Sequence, residues 1–120
     1  MKPESSHRTI LHDAVLNETT PLIEFDIEDD SGVGFKPDTL TLTLYDPETN
    51  EPINGRTDAD VLASCDINGH VAQRLAAADT RARDGGPNEQ TRHALFRWTW
   101  SSGLSGAHEI VFPILVRPGA

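Results

Sequence analysis

The sequence predicts an all-β protein that folds as one antiparallel β-sandwich of about seven strands. Three segments, residues 22–28, 39–45 and 93–100, alternate apolar and polar side chains with the period of two that half-buried strands show. Eight prolines and nine glycines in 120 residues favour short strands joined by turns over long helices. A chain of this length has room for one core, so we expect a single sandwich domain from residue 10 to residue 120.

The chain begins with a polar segment that has no apolar periodicity. Residues 1–9 carry Pro3 and paired serines, and we expect them to form a flexible N-terminal arm. In an assembly, such an arm can become ordered against a neighbouring subunit. Residues 11–16 are a weak strand candidate, which the turn-forming residues 17–21 end.

Residues 22–28 form the first clear strand, with Ile23, Phe25 and Ile27 on the side that we expect to be buried. A polar turn follows, and Phe35 in the next connection is expected to pack against the core. The carboxylates around this turn lack the regular spacing of a calcium loop. We therefore expect a solvated acidic rim, made of Asp26, Glu28, Asp29 and Asp30.

Residues 39–45 form the most regular strand, in which three leucines alternate with threonines. Asp46 and Pro47 then predict a turn, because proline presets its first central position and aspartate can bond the backbone ahead. A short extended piece at Ile53 returns beside the strand and ends at the Asn54-Gly55 turn. This segment is therefore predicted to be a β-hairpin.

The central third of the chain has weaker patterns. Residues 57–63 predict a short helical turn capped by Thr57 or Asp58, and residues 71–75 predict a strand. Residues 79–90 predict a polar loop with Gly85-Gly86-Pro87 at its centre. Long loops of this kind are often mobile or make contacts with partners.

Residues 93–100 and 109–117 predict a closing hairpin whose aromatic face belongs to the core. If residues 101–107 are the connection, Phe96 lies opposite Phe112 and Trp98 lies opposite Ile110. Pro113 cannot donate a ladder hydrogen bond, so we expect its amide side to face outward or to lie at a bulge.

The sequence shows no pattern that predicts catalysis, a cofactor or a metal site. Residues 103–106 lack the glycine spacing of a nucleophile elbow, and residues 32–34 lack the third glycine and helix of a phosphate-binding loop. The five histidines stand apart, and the single Cys65 predicts a structural thiol without an internal disulfide. We therefore expect a protein that is not an enzyme and needs no cofactor.

The net charge of −9 bears on partners and location. An acidic surface repels nucleic acid and anionic lipid, so we expect neither as a partner. No apolar run approaches the roughly 20 residues of a membrane-spanning helix, and the first residues lack the apolar core of a signal peptide. These features predict a soluble protein made in the cytoplasm.

Several segments together resemble small structural proteins of tailed bacteriophages, which fold as immunoglobulin-like sandwiches. The residues that carry the resemblance are Leu42 to Asp46, Ile53 to Arg56, Asp60 to Leu62, Glu89, His93 to Trp100 and His108 to Ile110. The resemblance implies a virion component, first a capsid decoration or cement protein that binds and stabilises the assembled head. A head-to-tail or tail-associated protein is the alternative. The implied partners are the major capsid protein or other virion subunits, with self-association in the assembly also allowed.

A carbohydrate-binding sandwich is a second hypothesis, in which an outward Trp100 or Tyr45 would stack on a sugar ring. The alternation with Phe96 favours core positions for the tryptophans. Under the assembly hypothesis, binding is expected on the arm, the acidic rim, the residue 79–90 loop and the loop at Gly103. The residues expected to make contacts are Glu4, His7, Arg8, Asp29, Asp30, Arg81, Arg83, Asn88 and Leu104.

Overall fold

Nine β-strands and two short 3₁₀ turns make up the part of the chain that this computed structural model describes. The structure describes residues 6–10, 15–29, 31–83, 85–101 and 103–116, and for residues 6–10 it describes the backbone alone. The strands are β1 (Ser6–Ile10), β2 (Val15–Leu16), β3 (Leu22–Asp26), β4 (Thr39–Asp46), β5 (Glu51–Pro52), β6 (Ala59–Asp60), β7 (His70–Arg74), β8 (Glu89–Trp100) and β9 (Leu104–Leu115). The 3₁₀ turns are η1 (Leu62–Ser64) and η2 (Ala77–Thr80).

The strands form two sheets that pack as a sandwich-like body. The larger sheet has the order β1-β9-β8-β4-β5, with β2 also beside β9 and β6 also beside β4. The smaller sheet pairs β3 with β7 in antiparallel register. The predicted all-β, sandwich-like fold is therefore confirmed.

The core lies between the inner faces of these two sheets. Phe25 of the small sheet packs against Phe96 and Trp98 of the large one, with ring centroids 4.8 and 6.0 Å apart. The alternating apolar residues of β3, β4 and β8 are buried as predicted, and Phe35 packs against the core. Burying each large apolar side chain stabilises the fold by about 1.5–3 kcal/mol.

The register of the closing hairpin differs from the prediction. Phe96 lies opposite His108, and Phe112 lies opposite Arg92. The connection is short because β9 begins at Leu104, so the segment predicted as loop extends the strand instead. The register moves by an even number of residues, which leaves each side chain on its predicted face. Ile110 and Phe112 are therefore buried although their predicted partners were wrong.

The edge of the large sheet also differs from the prediction of a wholly antiparallel sandwich. β1 and β2 both run parallel to β9. In place of the predicted arm, residues 6–9 lie in β1, and residues 1–5 lie outside the described residues. Of the weak strand candidate at residues 11–16, the structure places Val15–Leu16 in β2, and residues 11–14 lie outside the described residues.

The segment predicted as a capped helical turn instead protects an edge of β4. Ala59 and Asp60 pair with β4, and the amide of Val61 donates to the carbonyl of Leu40 at 2.9 Å. The η1 turn follows; its N-cap residue Val61 makes no side-chain cap, and the amide of Leu62 donates to Oδ1 of Asp60 at 3.0 Å. The N–H and C=O groups at the edge of β4 need hydrogen-bond partners. The segment therefore pairs with β4 as a strand, although its local sequence favours a capped helical turn.

Gly69 lies where the 66–69 turn touches the connection after β3. Its φ is +87°, and a Cβ there would lie 2.6 Å from the carbonyl oxygen of Phe35. We expect Gly69→Ala to lower the free energy of unfolding by about 1–3 kcal/mol, because it adds a clash to a left-handed backbone. Urea unfolding followed by tryptophan fluorescence measures this loss. Gly55→Ala is the control, since its φ is +66° and no atom lies within 4 Å; equal losses for both would contradict the steric argument.

Candidate functional site

The residues predicted to make contacts separate into two groups at opposite ends of the sandwich. Asp29 and Leu104 lie at the end where β8 finishes, whereas Arg81, Arg83 and Asn88 lie at the end where β8 begins. The other predicted contacts have no side-chain description. Glu4 and Asp30 lie outside the described residues, and His7 and Arg8 belong to the segment with backbone alone.

Among the described residues, three connections meet at the end where β8 finishes, which we call the apolar end: residues 29 and 31–35, residues 66–69, and the β8–β9 hairpin with residues 101 and 103 and the first β9 residue, Leu104. Gly69 lies so close to Phe35 that a Cβ at Gly69 would be 2.6 Å from the carbonyl oxygen of Phe35, which places the second connection against the first. The ring of Phe35 lies 5.1 Å from that of Trp100, which joins the first connection to the β8–β9 hairpin. The structure thus brings together loops that are far apart in sequence.

Each of these connections presents one aliphatic side chain to solvent. Val33 is 60% exposed, Ile67 is 81% exposed and Leu104 is 53% exposed. Single exposed apolar residues are ordinary, but several on adjoining loops are typical of a contact surface. Of the three, only Leu104 is among the contact residues predicted from the sequence. Val33 and Ile67 sit in polar turns, and their shared location depends on the fold.

Exposed carboxylates lie in or beside the connections of the apolar end. Exposed acidic side chains here are Asp26, Glu28, Asp38 and Asp66. Within residues 26–38 and 66–70 of the described chain, Lys36 is the one lysine or arginine. Nδ1 of His70 lies 2.8 Å from Asp26, and this hydrogen bond is the main cause that raises the pKa of His70. The predicted acidic rim therefore adjoins exposed apolar side chains.

Asp29 has a structural role within this end. Its carboxylate accepts hydrogen bonds from the amides of Ser31 and Val33, at 2.9 and 3.0 Å. These bonds hold the turn that presents Val33. The predicted contact residue Asp29 thus shapes the loop from a half-buried position.

The opposite end, which we call the arginine end, contains a buried ionic network. Arg92 is fully buried, and its Nη1 lies 3.3 Å from the carboxylate oxygen of Asp46 that Arg83 also contacts. Its Nη2 donates to the carbonyl of Arg81 at 3.0 Å and to Oε1 of Gln90 at 3.2 Å. Burial lowers the pKa of Arg92, and the negative charge of Asp46 partly opposes that shift.

The loop predicted to be mobile or to contact partners is held by this network. The amide of Arg83 donates to Oε1 of Gln90 at 2.7 Å, and Nε2 of Gln90 donates to the carbonyls of Arg83 and Pro87, both at 3.1 Å. The exposed Asn88 accepts a hydrogen bond from the amide of Val116 at its carbonyl. Arg81 stays exposed, with its Nε 3.9 Å from Glu18.

Asp46 and Arg92 are not among the site residues predicted from the sequence, although the alternation of their strands contains a signal for both. Arg92 continues the inward series of Ala94 and Phe96, and Asp46 continues the inward series of the β4 leucines. Two opposite charges at inward positions of neighbouring strands predict a buried ion pair. Asp46 also supports the turn predicted at this position, because it accepts a hydrogen bond from the amide of Glu48.

A second buried carboxylate joins η2 to the connection after β5. Asp79 accepts from Nε and Nη2 of Arg56 at 2.6 and 2.9 Å, from Asn54 at 3.0 Å and from the amide of Ala76 at 2.7 Å. Burial acts to raise the pKa of Asp79, but these hydrogen bonds outweigh it and the pKa lies below its ordinary value. The segment predicted to be a polar loop from residue 79 therefore begins with a buried carboxylate that is bonded to its surroundings.

The outer face of the large sheet carries two polar features. Oη of Tyr45 donates to Glu109 at 2.8 Å and lies 3.1 Å from Nδ1 of His93. Nearer the apolar end, a shallow groove of about 480 Å³ lies across β4, β8 and β9. Trp100 packs on Phe35 and Tyr45 bonds Glu109, so both rings proposed as sugar platforms have partners within the protein.

The described part of the chain contains no group of three or more His, Cys, Asp or Glu side chains placed to hold a metal ion. Cys65 is a free thiol, as predicted; it is buried, and burial is the main cause that raises its pKa. None of the helical segments among the described residues has the length and apolar character needed to cross a membrane.

These features define a class: a small all-β, sandwich-like domain with an apolar, acid-ringed end and an internally bonded arginine end. No protein-family model matches the chain, and neither a curated protein sequence nor a solved structure matches it.

Proposed function

We propose that this protein is a non-enzymatic structural component of a tailed-phage virion, a decoration protein that binds the assembled head through its apolar end. The observation that carries the docking role is the exposure of Val33, Ile67 and Leu104 on adjoining loops. The virion setting comes from the sequence resemblance, and a head-to-tail or tail-associated position is the alternative within it.

The rest of the molecule supports a rigid docking module. β8 and β9 pair along twelve residues each, which connects the apolar end to the arginine end through one continuous hairpin. The loops at the apolar end are held by backbone hydrogen bonds and by the contact between Phe35 and Trp100. A surface that is already ordered loses less conformational entropy on binding, which favours affinity.

The binding test uses purified protein and heads of the phage that encodes it, prepared without this protein. We expect the chain to co-sediment with the heads and Ile67→Asp to bind at least about tenfold more weakly. Burying an isoleucine stabilises a contact by about 1.5–3 kcal/mol, and each 1.4 kcal/mol is a factor of ten.

Leu22→Asp is the matched control, because Leu22 is 41% exposed but lies at the start of β3, away from the apolar end. Equal weakening by Leu22→Asp would contradict docking through the apolar end. Wild-type protein that stays in the supernatant with intact heads would contradict decoration. Binding to purified tails instead would establish the alternative position.

A further inference from the structure

The groove on the outer face of the large sheet encloses about 480 Å³. Its walls and floor come from neighbouring strands, because β9 places Ser105, Gly106 and Ala107 opposite longer residues of β8. Small side chains on one strand beside larger ones on the next leave a trough. The other main lining residues are Thr39, Thr41, Arg97 and Thr99, with Asp58 on the β4 side.

Arg97 is exposed at the middle of this groove, between Thr41 on β4 and Ala107 on β9. The other arginines whose side chains are described each contact a protein acceptor: Arg56, Arg74, Arg81, Arg83 and Arg92. Within the described chain, Arg97 has neither a hydrogen bond nor an ion pair. Its planar guanidinium therefore has all five N–H donors available for a ligand.

Hydroxyl groups flank this arginine. The side chains of Thr41 and Ser105 make no hydrogen bond within the described chain, and Thr39 and Thr99 bond each other at 2.7 Å. Hydroxyls both donate and accept, which suits a ligand that carries hydroxyls of its own. The carboxylate of Asp58 adds an acceptor at the groove wall, where Oγ1 of Thr43 lies 3.4 Å from it.

We propose that this groove binds a small carboxylate that also carries hydroxyl groups, the chemistry of a uronic acid, with Arg97 holding the carboxylate. The guanidinium matches a carboxylate in a two-bond geometry. The negative charge of Asp58 and the net negative charge of the protein repel a doubly charged phosphate more strongly than a singly charged carboxylate. A volume of about 480 Å³ lies within the range of small-molecule sites.

This inference goes beyond the proposed docking role and uses a different surface, so either proposal can fail alone. The test titrates D-glucuronate into ¹⁵N-labelled protein and follows backbone amide shifts by NMR. We expect saturable shifts confined to the groove strands, with a dissociation constant on the order of 1 mM. D-glucose and acetate are expected to bind at least about tenfold more weakly, because each lacks one half of the recognised chemistry.

Arg97→Gln is expected to reduce glucuronate affinity at least about tenfold. Arg81→Gln is the matched control, since Arg81 is an exposed arginine at the opposite end, and it should bind like wild type. Amide spectra of both variants report whether the fold is intact. The proposal is overturned by an absence of shifts up to about 50 mM glucuronate, a range that includes weak millimolar affinities. Equal affinity for acetate, glucose or inorganic phosphate, or unchanged binding by Arg97→Gln, overturns it as well.

Discussion

Asp46→Asn is expected to lower the free energy of unfolding by about 3–5 kcal/mol, one of the two largest effects that we predict. The substitution preserves volume and the hydrogen bond to the amide of Glu48, but it removes the carboxylate that Arg83 and Arg92 share. Arg92 is fully buried and would be left without its counter-charge. Urea unfolding at neutral pH, followed by tryptophan fluorescence, measures the change.

Two further variants separate the ionic argument from a general sensitivity of this end. Glu48→Gln removes an exposed carboxylate 3.2 Å from Arg83 and should cost less than about 1 kcal/mol. Arg92→Met replaces the buried cation with an apolar chain and leaves Asp46 paired with Arg83, so its cost should be smaller than that of Asp46→Asn. If Asp46→Asn were no more destabilising than Glu48→Gln, the buried pair would contribute little to stability. Near-UV circular dichroism shows whether each variant still folds.

Asp79→Asn is expected to cost about 3 kcal/mol at neutral pH, the second large effect. The change removes the negative charge that Arg56 contacts through two nitrogens, and it places an amide donor against the guanidinium. Arg56 is partly exposed, so water can solvate some of the released charge. The loss should therefore be near the lower end of the range for buried pairs.

The same carboxylate gives stability a pH dependence of known sign. The pKa of Asp79 is lower in the folded state than its ordinary value of 3.8, so its contribution is complete above that value. The contribution is lost as the pH falls below 3.8 and through the folded-state pKa. We expect stability to fall less steeply with acid in Asp79→Asn than in wild type, measured by urea unfolding between neutral and acidic pH. Asp38→Asn removes an exposed carboxylate and should keep the wild-type pH profile; an unchanged profile in Asp79→Asn would contradict the assignment.

Side-chain direction could be predicted from the sequence because it depends on local backbone geometry. Successive residues of a strand point to opposite faces, so the alternation of β3, β4 and β8 identified Phe25, Leu42 and Phe96 as core residues without knowledge of pairing. The same rule, applied two residues before Ala94, identifies Arg92 as an inward residue. Charged side chains usually face water, so Arg92 was not expected to be buried. An arginine that is paired with a carboxylate can nevertheless lie in the core.

The candidate sites depend on distance in space between residues that are far apart in the chain. Val33, Ile67 and Leu104 belong to three separate connections, and Asp46 and Arg92 lie 46 residues apart. No local sequence pattern predicts that these residues lie close together, because their proximity depends on the order of the strands within the sheets. Within the described chain, the guanidinium of Arg97 is likewise free, because none of its neighbours on β4 and β9 forms a hydrogen bond with it.

The sequence by itself determined an acidic, all-β domain and the inner faces of its main strands, since composition and a period of two are local properties. The tertiary structure decided the register of the β8–β9 hairpin, because that register depends on the length of a turn that polar residues alone do not define. It also decided the parallel pairing of β1 and β2 with β9, which satisfies edge backbone groups through a long-range contact. The buried ionic network and the apolar end follow from that arrangement of strands.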